Sequence, residues 1–253
     1  MYPILFYIGP FPVFSYGVFV VLGLIALYAI ALGTARREGR SWDQLLPMAF
    51  GVMVGGVVGA RLSHILLEPA KAMQLLDFYS MFRPGTPGNI IGLIVGGFFG
   101  GLVVRYSLGL PSVGNYYAPA MAAASAVWRI GCTLAGCCHG KETDLPWPFS
   151  IHLDGEDVHP TMIYEGLFNF VMFFVLWRLR PRIKQDNALV YLYFACYAFF
   201  RFWLEFLRTY PVVAFGLTGA QLLCLGILIG LGVWWWRQRA RRKEDAPTAT
   251  SAA

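Results

Sequence analysis

The most informative charged residues in or beside the long apolar runs are Arg61, Arg129, Glu165, Arg201, Glu205 and Arg208. Charge is expensive there, at roughly 2.5–3.5 kcal/mol for an Arg or Asp at the centre of a membrane-inserted helix. Positions 201, 205 and 208 are spaced by four and then three, so they share one helical face. An Arg–Glu–Arg ladder could do no more than fix helix packing. That use leaves Arg61 and Arg129, expected near the same depth, without a role. A surplus of guanidinium suggests that an outside anion completes the pairing, and Arg is suited to gripping phosphate through two hydrogen bonds. In a bilayer the available anion is a phospholipid headgroup.

The elements that must position these residues follow from composition. Of 253 residues, 57% are apolar and 13% charged, against roughly 25% charged in an ordinary soluble domain. Mean hydropathy is +0.57. These values exclude a soluble globule and a disordered chain, and five Cys are too few for a small disulfide scaffold. The apolar runs are continuous rather than alternating, which favours helices over a barrel. Seven stretches approach the roughly 20 residues a span needs: Val13–Gly33, Gln44–Leu67, Asn89–Leu108, Asn115–Ala135, Thr161–Leu179, Ala188–Leu207 and Leu217–Trp236. The first has no basic segment ahead of it and no A-x-A site behind it, so it is expected to be retained.

Thirteen Lys/Arg fall in alternate loops on one side and three on the other, with four inside or at the ends of spans. Positive loops stay cytoplasmic. The expectation is therefore an all-α integral membrane protein with seven transmembrane helices, its N-terminus outside and its C-terminus cytoplasmic. Residues 1–236 form one membrane domain, with long outer loops at 68–88 and 136–160. Residues 237–253 form a basic, Ala/Thr/Ser-rich tail expected to be unstructured. The net charge of +6 reflects this topology and attraction to anionic lipid, and nucleic acid is not expected as a partner.

Other polar and small residues have competing readings. Cys132, Cys137 and Cys138 lie within seven residues, and His139 follows. C-x4-C-C-H lacks the C-x2-C pairs of structural zinc, which makes metal the least favoured of its readings, and no metal or other cofactor is expected. Packing of a tight helix end, a disulfide, a catalytic relay and a redox role stay open. Cys196 and Cys224 read as packing residues. Gly51, Gly55 and Gly59, and Gly92, Gly96 and Gly100, give small-x-x-x-small spacing for close helix approach. Gly96-Gly97 could also open a groove for a headgroup. Trp234-Trp235-Trp236 reads as an interfacial anchor.

Several segments carry a resemblance over about residues 10–235. They are Ser15-Tyr16-Gly17, Gly59-Ala60-Arg61, and Arg129-Ile130-Gly131 running through Cys137-Cys138-His139-Gly140. His159-Pro160-Thr161-Met162-Ile163-Tyr164-Glu165 follows, then Tyr197, Phe200-Arg201, Glu205 and Arg208. In order and frame these resemble the prolipoprotein diacylglyceryl transferase family. The family's signature reads Arg-x-Gly-Asn-x-x-Asn-Gly-Glu-x-x-Gly, where this chain has Cys132, Ala135 and Cys137 at the Asn, Asn and Glu. Its His-Gly-Gly reads Val95-Gly96-Gly97 here.

The resemblance implies transfer of a diacylglyceryl group from phosphatidylglycerol to the lipobox cysteine thiol of a prolipoprotein signal peptide, in the bacterial inner membrane. Arg129 and Arg201 would stabilise the departing phosphate, with Glu205 and Arg208 orienting them. Tyr16 and Tyr197 would donate to headgroup oxygens. His139, or His159, would serve as base toward the thiol. Arg61, Gly96, Gly97, Gly140, Tyr164 and Glu165 complete the expected lipid contacts. A paralogue acting on another acceptor, a non-enzymatic phospholipid-binding protein and a thiol redox protein are the alternatives.

Overall fold

The computed structural model describes residues 2–67, 90–146, 148–153 and 155–244, without the side chains at 63–67, 90, 91, 94 and 240–244. The expected outer loop at 68–88 and the end of the tail, 245–253, lie outside the described residues. Among those described there are seven α-helices: α1 (Ser15–Arg37), α2 (Trp42–Leu67), α3 (Ile90–Ser107), α4 (Gly114–Ala135), α5 (Thr161–Leu179), α6 (Ala188–Leu204) and α7 (Gly219–Glu244). Each coincides with one expected apolar stretch. Five of them (α1, α2, α5, α6 and α7) contain segments long and apolar enough to cross a membrane. The chain divides into two compact units, residues 1–30 with 117–253, and residues 31–116.

Polarity is inverted relative to a soluble protein. On α5, Leu167, Phe170 and Phe174 are exposed, while Glu165 and Asn169 on the same helix are buried. Phe199 and Trp203 on α6 are exposed, whereas Arg129, Glu205, Arg208 and Gln221 are buried. An apolar exterior around a polar interior is stable in lipid and would aggregate in water. The chain is a multi-pass membrane protein by this criterion.

The expectation of a purely helical chain needs correction. Three short antiparallel hairpins stand between helices: β1 (Ile4–Ile8) with β2 (Phe11–Phe14), β3 (Ile151–Leu153) with β4 (Glu156–Val158), and β5 (Val212–Ala214) with β6 (Leu217–Thr218). Each reverses at a residue of positive φ: Gly9 at 59°, Gly155 at 94°, and Phe215 with Gly216 at 53° and 73°. Such turns suit the twist of a two-stranded ribbon. Ser15 ties the first hairpin to α1, its hydroxyl lying 2.7 Å from the Tyr2 carbonyl oxygen and 3.0 Å from that of Pro3. A second correction concerns the tail. Residues 237–244 continue α7, since Arg, Lys and Glu are good helix formers and cations favour a helix C-terminus. Trp235 takes part, with the Arg239 guanidinium 3.5 Å from its ring centre.

In the unit formed by residues 31–116, α2 and α3 pack through their glycines. A Cβ on Gly96 would strike the Gly55 carbonyl oxygen and lie 2.7 Å from the Gly59 Cα; one on Gly59 would strike the Gly92 oxygen and lie 2.6 Å from the Gly96 Cα. Backbone meets backbone, as small-x-x-x-small spacing allows. Gly97 also faces α2, its Cβ position 3.1 Å from the Val52 oxygen. Gly96 and Gly97, expected to open a headgroup groove, are therefore filled by α2.

Gly96→Ala should destabilise the chain in detergent by at least the roughly 1–3 kcal/mol typical of overpacking, read as a lower thermal midpoint, because backbone cannot yield as a side chain does. Gly33→Ala, where a Cβ meets nothing within 4 Å, should leave the midpoint unchanged or raise it.

Candidate active site

Four segments of the other unit bring the charged residues together. Arg129 comes from α4 and Glu165 from the second turn of α5, whereas Tyr197 and Arg201 come from α6. A short 3-10 turn, Glu205–Leu207, follows α6 and ends at Arg208. Gly166 permits the approach of α4 and α5, since a Cβ there would lie 3.2 Å from the Arg129 Cβ.

Glu165 is the hub. Its Oε1 accepts a charge-assisted hydrogen bond from Arg129 Nη2 and a second from the Tyr197 hydroxyl at 2.6 Å. Its Oε2 faces Arg201 Nη1 at 4.0 Å and Arg208 Nη1 at 3.9 Å. Arg201 Nη2 pairs with Glu205 Oε2 at 2.9 Å, across one helical turn. Thr218 donates to Glu205 Oε1 at 3.0 Å, and Gln221 Oε1 accepts from the Thr218 backbone N–H at 3.0 Å. Behind the hub, Asn169 donates to the Glu165 carbonyl at 2.8 Å and accepts from the Tyr193 hydroxyl at 2.7 Å. Asn169, Tyr193, Thr218 and Gln221 were not legible as site residues in the sequence. Asn169 lies one helical turn from Glu165, which is the signal that could have found it.

The charges do not cancel. Three guanidiniums surround two carboxylates, all five groups lying in the interior. Arg129 Nε, Arg201 Nη1, and Arg208 Nε and Nη1 are buried without a hydrogen-bond acceptor, and Glu165 Oε2 and Glu205 Oε2 are buried without a donor in hydrogen-bond geometry. Buried donors normally find acceptors. This arrangement carries one positive charge in excess and several N–H groups without acceptors, and an anion with several oxygens answers both.

The segment after α4 closes one side. Gly140 donates its backbone N–H to the His159 oxygen at 2.8 Å, and Lys141 donates to the Leu207 oxygen at 2.7 Å. No side chain fits at Gly140: a Cβ would strike the Leu207 oxygen and lie 2.8 Å from Thr161 Cγ2. His139 Nδ1 lies 3.1 Å from the Gly140 oxygen. A carbonyl only accepts, so Nδ1 carries the proton and Nε2 is left as the basic nitrogen. His159 has a buried Nδ1 without a hydrogen-bond partner. Tyr164 does not join the arginines, because its hydroxyl donates to the Phe149 carbonyl at 2.9 Å. Tyr16 lies against the end of α4, its Cα 3.3 Å from where a Cβ on Gly131 would sit. Arg61, Gly96 and Gly97 belong to the other unit.

The three cysteines of this segment gather as well. Arg129 Nη1 lies 3.6 Å from Cys132 Sγ, and the Cys137 and Cys138 sulfurs are 3.7 Å apart. Hydrogen bonding from the Cys132 and Cys137 thiols, with the charges of Arg129 and Arg208, holds the Cys138 thiol below the ordinary thiol range, against the opposing effect of burial.

Fold and site together define a multi-pass helical membrane protein with a buried arginine–carboxylate centre. The family description "Prolipoprotein diacylglyceryl transferase" matches residues 3–236, and the chain belongs to that family. It is similar to the phosphatidylglycerol–prolipoprotein diacylglyceryl transferase of Clostridium tetani, at 30% identity over 225 residues, covering 83% of this chain and 87% of the relative. It is similar to transferase 2 of that name from Clostridium perfringens at 30% identity, covering 86% and 88%. The corresponding protein of Legionella pneumophila strain Paris is 28% identical, covering 94% and 97%.

Two outcomes test this geometry. Glu165→Gln should cost about 3–5 kcal/mol of stability in chemical unfolding, because it strips the arginines of their shared carboxylate, and adding Arg129→Gln should cost less than the sum of the single changes. A lowered Cys138 pKa puts its thiolate at lower pH, so mass-spectrometric alkylation of Cys138 should set in at a lower pH than that of Cys196.

Proposed function

We propose that this chain transfers the diacylglyceryl group of phosphatidylglycerol to the lipobox cysteine thiol of a prolipoprotein signal peptide. The observation that carries the site assignment is the excess of buried guanidinium around Glu165, with unsatisfied N–H groups on Arg129, Arg201 and Arg208. Headgroup phosphate satisfies both the charge and the donors.

In the reaction the acceptor thiolate attacks the glyceryl carbon bonded to the phosphate oxygen. A carbon–sulfur bond forms, the carbon–oxygen bond breaks, and glycerol phosphate leaves carrying the electron pair. Arg129, Arg201 and Arg208 hold the phosphate and stabilise the charge that grows on it. Glu165 and Glu205 fix those guanidiniums in place and are not themselves reactants. Tyr197 is committed to Glu165, so it acts as a positioning residue. Tyr16, beside the cysteine cluster, is free of that commitment and contacts the headgroup. His139, with Nε2 as its basic nitrogen, takes the thiol proton; His159 is the second candidate. The placement of Lys and Arg supports seven crossings in the bacterial inner membrane, with the N-terminus outside and the C-terminus cytoplasmic.

The test uses purified chain, labelled phosphatidylglycerol and a lipobox peptide. Thioether-linked product is expected. Arg129→Ala and Arg201→Ala should each lower turnover by about 10²–10³, the range for losing one donor to a developing oxyanion. Turnover that survives both substitutions together removes the site assignment. Phospholipid binding without thioether formation would point to a lipid-binding protein.

A further inference from the structure

The sequence spacing C-x4-C-C argues against a metal site, yet the fold reverses the argument. The chain leaves α4 at Ala135 and turns back through Gly136, at a φ of 68°. Cys137 is recaptured by its backbone N–H, which donates to the Cys132 carbonyl at 3.1 Å. Cys138 sits in the left-handed region at a φ of 66°, unusual for a residue with a side chain. Its carbonyl oxygen accepts from the Thr161 hydroxyl at 2.7 Å, which pins that conformation to the start of α5. All three sulfurs end within 4.8 Å of one another, and none is in a disulfide.

We propose that Cys132, Cys137 and Cys138 form a three-thiolate site for one soft d10 cation of the zinc, cadmium or copper(I) class. With metal–sulfur bonds of about 2.3 Å, sulfurs sharing one ion stand about 3.8 Å apart in tetrahedral geometry and about 4.0 Å apart in trigonal geometry. The Cys137–Cys138 separation of 3.7 Å already meets the first value, and the 4.8 Å limit on the set requires under 1 Å of adjustment. Three adjacent thiolates carry three negative charges. A divalent ion leaves one, which the Arg129 guanidinium, 3.6 Å from Cys132, is placed to offset. Thiolate donors select soft cations over magnesium or calcium. Cys132 is buried and the other two are half-buried, so an ion can reach the site through Cys137 and Cys138. Binding is simple coordination: each thiol gives up its proton to solvent and no electron moves. The site shares Arg129 with the transferase reading, but the sulfur positions that carry it do not depend on that reading.

The test titrates cadmium(II) alone into reduced, metal-free full-length chain in detergent. The ultraviolet sulfur-to-cadmium charge-transfer band scales with the number of thiolates bound. One ion per chain with three-thiolate intensity is expected, accompanied by proton release. Cys132→Ser, Cys137→Ser and Cys138→Ser should each weaken binding by at least the roughly 10–100-fold that even an outer-shell substitution costs. Cys196→Ser and Cys224→Ser should not change it. Circular dichroism checks each variant, and should Cys132→Ser fail to fold, the two half-buried positions decide. A band of one-thiolate intensity, or affinity unchanged in Cys137→Ser and Cys138→Ser, overturns the proposal.

Discussion

A single carboxylate organises the interior of this protein. Glu165 is 1% exposed and meets guanidiniums from three directions. An uncompensated buried charge would cost several kcal/mol, so each ion requires the others. Arg129 is tolerable on α4 because Glu165 stands opposite. Arg201 and Arg208 are tolerable because Glu165 and Glu205 share them. The three helices are thereby held in one register, and removing the hub would leave like charges facing one another in a low dielectric. Packing and charge balance are thus the same set of contacts, with a positive remainder of one.

Much of this was legible in the sequence, for physical reasons. Every helix was visible as an apolar run, because lipid demands length and continuity. The face carrying residues 201, 205 and 208 was visible because helical spacing is fixed, although the helix tightens to a 3-10 turn at Glu205 before Arg208. Glu165 was visible only as part of a motif, and its role as hub was not. That role depends on α4, α5 and α6 meeting, which no local pattern encodes. The polar residues behind it, Asn169 and Tyr193, resembled ordinary span residues.

The misjudgements share a cause. Gly96 and Gly97 offered two uses for one absence, room for a ligand or room for a helix, and only the position of α2 decides between them. The hairpins escaped notice because their strands are two to five residues long. Their turns were hidden in Gly9-Pro10, at Gly155 and in Phe215-Gly216. Spacing along the chain does not encode the distance between the cysteine sulfurs, which a left-handed turn at Cys138 sets. The tail was taken as a solvated charge run, yet an established helix propagates into it more cheaply than a new one could nucleate.

The stitching around Gly140 bears on how so enclosed a centre admits its reactants. Gly140, Lys141, His159 and Leu207 are cross-linked by three backbone hydrogen bonds of 2.7–2.9 Å. The glycine has no spare volume beside it. The exit of α4, the entry of α5 and the exit of α6 therefore behave as a welded joint. A breathing motion that parts any one of them must break the weld, so the three segments move as one body or not at all.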